Sequence, residues 1–174
     1  ESIKSGETDP ETAKQAMDNV QEAKRLLALA RKDHLKEIRQ MELDKAVDFF
    51  DRLVREHARP TEANAFDNLA KTAQRAIDNN SNDFESHLDE LRGRNFMILW
   101  RQDWFVIERF KWLAQDSYLF PDAREHAQIV AVGAEALKAN DIEKLRSVVA
   151  HLDSIRIGSA GEDDMMAGAN IVRS

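Results

Sequence analysis

The chain has 174 residues, 33% of them charged and 43% hydrophobic, with a formal net charge of −7 and no cysteine. That is enough chain for one ordinary domain with a real core, and it excludes disulfides and thiolate metal sites. No stripe of Lys and Arg outweighs the acidic balance, which argues against a nucleic-acid partner. The longest apolar runs, Phe96 to Trp100 among them, are five residues, far short of a membrane span.

Six glycines, three prolines and an abundance of Ala, Leu, Glu, Lys and Arg favour helix throughout. ESIKSGETD reads as a linker, residues 1–9, and a chain opening on glutamate is expected to be a piece of a longer protein. Asp9-Pro10-Glu11 then supplies a helix start, with a capping side chain, proline in the first turn and an acid near the positive end. Apolar residues follow at helical spacing: Ala13, Ala16, Met17, Val20, Ala23, Leu27, Ala30, Ile38, Met41, Phe49, Phe50, Leu53 and Val54. Unbroken to His57, this helix would extend about 70 Å at 1.5 Å per residue. A compact domain of this size has a radius of gyration near ~16 Å. The helix must project or bend, and Arg31-Lys32-Asp33-His34 is the expected bend.

Arg59-Pro60-Thr61 ends the first helix and starts a second, with Phe66, Leu69, Ala70, Ala73 and Ile77 on its stripe. Asn79-Asn80-Ser81-Asn82 is a turn cluster, and Asn82 with Glu85 makes a capping-box-like start for helix three. That helix runs through Gly93 and on through NFMILWRQDWFVIERFKWL. Pro121 opens helix four, carrying Ala123, Ala127, Val130, Ala134 and Leu137. Asn140 suits the left-handed terminating position and Asp141 caps helix five. Its stripe is Ile142, Leu145, Val148, Val149, Leu152 and Ile155. The short joint makes helices four and five an antiparallel pair. The expected fold is therefore an all-α bundle of about five helices over residues 10–157, followed by a flexible tail, 158–174, with the acidic run Glu162-Asp163-Asp164.

Asn95 to Leu113 holds all three tryptophans and three of the eight phenylalanines. On a helical wheel, Phe84, Leu88, Leu91, Ile98, Leu99, Val106 and Leu113 form one core stripe, with Asn95, Gln102 and Arg109 spaced seven apart near its centre. Phe96, Trp100, Trp104 and Ile107 point another way. A helix apolar on two sides is central in its bundle or bound to something. Phe96, Trp100, Trp104, Ile107 and Trp112 are thus the protein-interaction candidates, because tryptophan beside arginine is enriched at interaction hot spots.

Chemistry is harder to place. His34, His57, His87, His126 and His151 stand in separate segments without Glu-x-x-His pairs, and each reads as a surface or boundary residue. Glu42, Asp44, Asp48 and Asp51 alternate with Lys45 and Arg52 as solvated helix faces do. The glycines are isolated, so no phosphate loop is formed, and no nucleophile elbow is present. No catalytic, metal or cofactor residue is expected.

FPDAREHAQIVAVGAEALKANDIEKLRSVVAHLDSI resembles the end of the helical lid of the seventy-kilodalton heat-shock chaperones of the DnaK type. QEAKRLLALARKDHLKEIRQMELDKAVDFFDRLVRE is similar to their long charged lid helix. The resemblance spans about half the chain. It implies a non-catalytic C-terminal region in the cytoplasm that covers or regulates a client-peptide site, with ATP handled by an upstream domain. The tryptophan-rich stretch has no counterpart in that family, and no functional residue carries over. Two other readings stand beside it: a helical adaptor or sensor bundle from an unrelated multidomain protein, and a ligand-binding bundle with Trp100 and Trp104 around an internal cavity.

Overall fold

The computed structural model describes residues 10–158. The linker, and the tail beyond Gly158, lie outside the described residues. All regular structure described is helical: α1 (Pro10–Phe49), α2 (Pro60–Asp78), α3 (Phe84–Trp100), α4 (Asp103–Gln115), α5 (Ala123–Lys138) and α6 (Ile142–Ile155). A π-helical turn (Phe50–Val54) and a 3₁₀ turn (Arg55–His57) follow α1, and a second 3₁₀ turn (Ser117–Leu119) follows α4. Contacts divide the chain within α1, into one unit ending at Met41 and another starting at Glu42.

In the first unit every side chain from Pro10 to Ile38 is exposed. Helical assignment runs through Arg31–His34 without interruption, so no break falls at the expected bend. The irregularity comes instead at Phe50–Val54, where the helix widens to a π-turn.

The second unit has two buried clusters. The first gathers Leu43, Ala46, Phe49, Phe50 and Val54 with Phe66, Ala73 and Ile77 of α2, and with Phe84, Leu88, Leu91, Ile98 and Leu99 of α3. Phe50 stacks on Phe66, ring centroids 3.9 Å apart. The second gathers Val106, Phe110 and Leu113 of α4, Phe120, Ala136, and Leu145, Val148, Val149 and Leu152 of α6. Trp100 packs against both. Every residue of the expected core stripe on helix three is buried.

Local signals explain most boundaries. Arg59 is extended, as a residue before proline prefers, and Pro60 occupies the first turn of α2. The helices α2 and α5 end alike. Asn80 and Asn140 are left-handed, at φ 50° and 52°. Ser81 N–H donates to Ala76 O and Asp141 N–H to Ala136 O, at 2.8 and 2.9 Å, while Asn80 and Asn140 donate to Ile77 O and Leu137 O. Both ends are Schellman motifs. Asp141 then caps α6 by accepting from Lys144 N–H, and the tight turn folds α6 back on α5.

Three boundaries differ from the sequence reading. Asp83, not Asn82, holds the cap position of α3 and makes no side-chain cap bond; Ser81 Oγ accepts from Asp83 N–H instead. Asp122, which accepts from Arg124 and Glu125 N–H, starts α5 two residues past the expected opening. The expected third helix is two, because it breaks at Arg101–Gln102, where Gln102 turns extended.

The packed face of α5 is also shifted. Ala123 and Ala127 are exposed, whereas His126, Gly133 and Ala136 are buried. His126 is satisfied inside: its ring stacks on Phe120 at 4.2 Å, and its Nε2 donates to Leu113 O at 2.8 Å. Gly133 lets α5 approach α4 and α6 closely. A Cβ there would stand 2.6 Å from Phe110 Cζ and 2.9 Å from Val148 Cγ1.

Arg55 ties the π-turn to α2. Its guanidinium lies over the Phe50 ring, 4.6 Å from the centroid, and donates to Asp51 and Asp67, each at 2.7 Å from Nη2. The hydrogen bond from Arg55 holds the Asp67 carboxyl below its usual range, against the opposing effect of burial.

Two predictions follow from this packing. Gly133→Ala improves helix propensity by about 1 kcal/mol but overpacks Phe110, so a net loss of about 1–2 kcal/mol is expected in urea unfolding. The Asp67 pKa is depressed in the folded chain, so its stabilisation is present above the unfolded value and lost as pH falls through the folded one. Acid unfolding below about pH 4 should therefore be shallower in Arg55→Gln than in wild type, and parallel curves would show that the pair contributes nothing. The half-exposed pair is worth at most about 1 kcal/mol.

Candidate functional site

The break at Arg101–Gln102 divides the aromatic candidates. Phe96 and Trp100 belong to α3, and Trp104, Ile107 and Trp112 to α4. The face expected across Phe96, Trp100, Trp104 and Ile107 is divided between two helices at the extended Gln102.

Phe96 is half-buried. It stacks on Trp100 (5.6 Å, 19°) and meets Phe105 edge-on (5.8 Å, 81°). Trp100 is wedged between the two clusters. Trp104 is 38% exposed, with its ring edge-on to Phe105 and 6.0 Å from His57. Trp104 thus reaches the surface, whereas Trp100 is half-buried. Ile107 and Trp112 are half-buried against the second cluster. Of the five candidates, Trp104 alone is an exposed side chain.

Two arginines hold the joint. Arg101 reaches back to Glu62 Oε2 at 3.0 Å and His57 O at 3.4 Å; its hydrogen bond keeps Glu62 below the usual carboxylate range. Arg146, from α6, donates to Trp100 O, to Arg101 O at 3.3 Å and to Asp103 Oδ1 at 2.9 Å. It thereby satisfies carbonyls that the end of α3 leaves without an intrahelical partner. Its guanidinium carbon lies 5.6 Å from the Trp100 ring centroid.

Behind Phe96 the chain buries a charge. Arg109 is 1% exposed and grips Asp153 bidentately, Nε to Oδ2 at 2.8 Å and Nη2 to Oδ1 at 2.7 Å. Its guanidinium sits over Phe96 at 5.2 Å and Trp112 at 5.7 Å, and that of Arg156 lies 5.0 Å from Trp112. A cleft of about 360 Å³ opens here, lined by Asp89, Arg92, Gly93, Phe96, Arg109, Asp153, Arg156 and Gly158. Three guanidinium groups and two carboxylates thus share its lining. Asn95 is likewise fully buried and donates to Ala46 O at 3.4 Å.

The spacing of Asn95, Gln102 and Arg109 within an apolar stripe was the signal for these buried polar groups. A charge in such a stripe needs a partner. Asp153, Arg146 and Arg156 gave no matching signal, since each could equally sit on a solvated face. Among the described residues no group of three or more His, Asp or Glu could hold a metal ion, and no helix is long and apolar enough to cross a membrane. No protein-family model, curated protein or solved structure matches the chain.

Arg146→Ala should cost about 1.5–3 kcal/mol, the range for hydrogen bonds to a charged group. Asp103→Asn, at an exposed carboxylate, should cost under about 1 kcal/mol. Urea unfolding followed by tryptophan fluorescence separates them, and equal losses would show that the ion pair, rather than carbonyl capping, holds the joint.

Proposed function

We propose that this protein works by protein contact, with α1 as the surface that receives a helix of a partner protein. The observation that carries the reading is the complete exposure of side chains from Pro10 to Ile38. Helices in proteins owe most of their stability to packing of an apolar face, and an exposed apolar stripe marks an interaction surface. On a 100° wheel, Ala13, Ala16, Val20, Ala23, Leu27, Ala30, Ile38 and Met41 fall within about 60° of one direction. Val20 and Leu27 are 53% and 52% exposed. Asp18, Lys36 and the ion pair of Glu22 with Arg25 (2.7 Å) occupy the opposite side. Trp104 adds a smaller exposed apolar surface in the second unit. On this reading the chain is an adaptor or sensor, with no catalytic residue or cofactor of its own.

The heat-shock resemblance supplies a narrower form: a lid-like region of a cytoplasmic DnaK-type chaperone, with ATP bound in an upstream domain and client polypeptide as partner. The length of α1 and the hairpin of α5 with α6 support it. Its own test is the parent gene, which must encode an ATPase and a β-sandwich upstream of Glu1.

A photo-reactive residue placed at Leu27 should give discrete crosslinked products, and one at Arg25, on the opposite side, should not. Val20→Asp should abolish the Leu27 products while leaving the thermal unfolding of the chain unchanged. A product of twice 19.9 kDa would identify the partner as a second copy. Equal crosslinking at both positions, or none at either, would overturn the reading.

A further inference from the structure

We infer that the helix received by α1 belongs to a different protein and carries acidic residues seven positions apart along one edge of its own apolar stripe. The inference rests on the contact surface proposed for α1 and names the chemistry of its occupant. Two rows of the exposed stripe repeat every seven residues: Ala13, Val20 and Leu27 in one, Ala16, Ala23 and Ala30 in the other. That is the seam of a two-helix coiled coil, in which the residues beside the seam face the partner's flanks. Met17, Lys24 and Arg31 follow the second row directly, and Thr12, Asn19 and Leu26 precede the first. One edge of the seam is therefore cationic and the other uncharged. The two cations are available to a partner. Lys24 and Arg31 are exposed, and neither takes part in an ion pair or hydrogen bond among the described residues, whereas Arg25 is held by Glu22.

The same register argues against a second copy of this chain. Two parallel copies would set Lys24 beside Asn19 and Arg31 beside Leu26 of the other chain. Two antiparallel copies would set the cationic edges against each other, Lys24 facing Arg31. Neither arrangement supplies a carboxylate, and the second is repulsive. A partner with Asp or Glu at the facing positions meets both cations at once, and the same charges reject helices with basic edges. An anionic bilayer shares the attraction for Lys24 and Arg31 but fits the helix poorly. A helix lying in a membrane interface sets a cationic polar face opposite its apolar one. The side opposite this stripe mixes Asp18 and Glu22 with Lys32 and Lys36 and also holds Leu29, 47% exposed.

The test titrates the full chain into two labelled synthetic peptides of about four heptads, read by fluorescence anisotropy. Both carry the same leucine–alanine seam; one has Glu and the other Lys at the flanking positions. The Glu peptide should bind about 10-fold tighter, an advantage that shrinks as salt is raised. Lys24→Glu combined with Arg31→Glu should reverse the preference, and Lys36→Glu, on the far side, should leave it. Equal affinity for the two peptides, no binding of either, or a preference unchanged in the double variant would overturn the inference. So would a Leu27 crosslinked product of twice 19.9 kDa, or cosedimentation with phosphatidylserine–phosphatidylcholine vesicles that the double variant abolishes. Discrete Leu27 products that persist undiminished in the double variant would remove the acidic edge and leave the contact surface standing. Absence of Leu27 products would remove the surface itself, so the two proposals fail distinguishably.

Discussion

The buried pair of Arg109 with Asp153, together with Arg146 at the end of α3, sets how α4 lies on α6. Asp103 and Arg109 on α4 face Arg146 and Asp153 on α6, with the charges exchanged between the helices. Early residue meets early residue and late meets late, so the two helices run in parallel. Reversing one helix would place Asp103 against Asp153 and Arg109 against Arg146. A slip along the axis would leave the buried Arg109 guanidinium without its carboxylate, a state costing several kcal/mol. Apolar packing of Val106, Phe110 and Leu113 against Val149 and Leu152 supplies the attraction, but such surfaces tolerate several registers. The charges admit one.

Arg146 also supports the division of one long helix into two. An α-helix interrupted in a protein interior exposes carbonyls that must find donors. At Arg101–Gln102 the donor is the Arg146 side chain, which also covers the face of Trp100. The kink redirects α4 toward the α5–α6 hairpin, and two clusters form where a straight helix would have supported one elongated core. Trp100, half-buried, packs against both.

Legibility in the sequence followed the range of the interactions. The stripe from Phe84 to Leu113 was readable because burial repeats with the helical period, and the break did not scramble it. The Asn140-Asp141 turn was readable because its chemistry involves near neighbours only. The break itself carries neither glycine nor proline, and the donor that satisfies its carbonyls, Arg146, lies 46 residues from Trp100. The true face of α5 was hidden for a related reason: Gly133 and His126 are ill-suited to an apolar stripe until Phe110, Phe120 and Leu113 stand opposite. At the candidate site, Arg109 could be singled out as a charge among apolar neighbours. Its cleft could not, because Arg92, Asp153 and Arg156 come together only through the packing of α3, α4 and α6. The exposure of α1 was unreadable, since its stripe is indistinguishable in sequence from one that is packed.

The two left-handed asparagine turns carry a consequence for the order of assembly. Each closes a helical hairpin, α2 with α3 and α5 with α6, over a few residues of chain, so the entropy lost in closure is small. Hairpins of this kind form in microseconds to milliseconds, as topologies rich in local contacts do. The joint between the clusters needs Arg146 to find Trp100 across a much longer loop and is the slower event. Each hairpin therefore reaches the joint with its own helices already paired, and the kink is where two preformed halves are registered on one another.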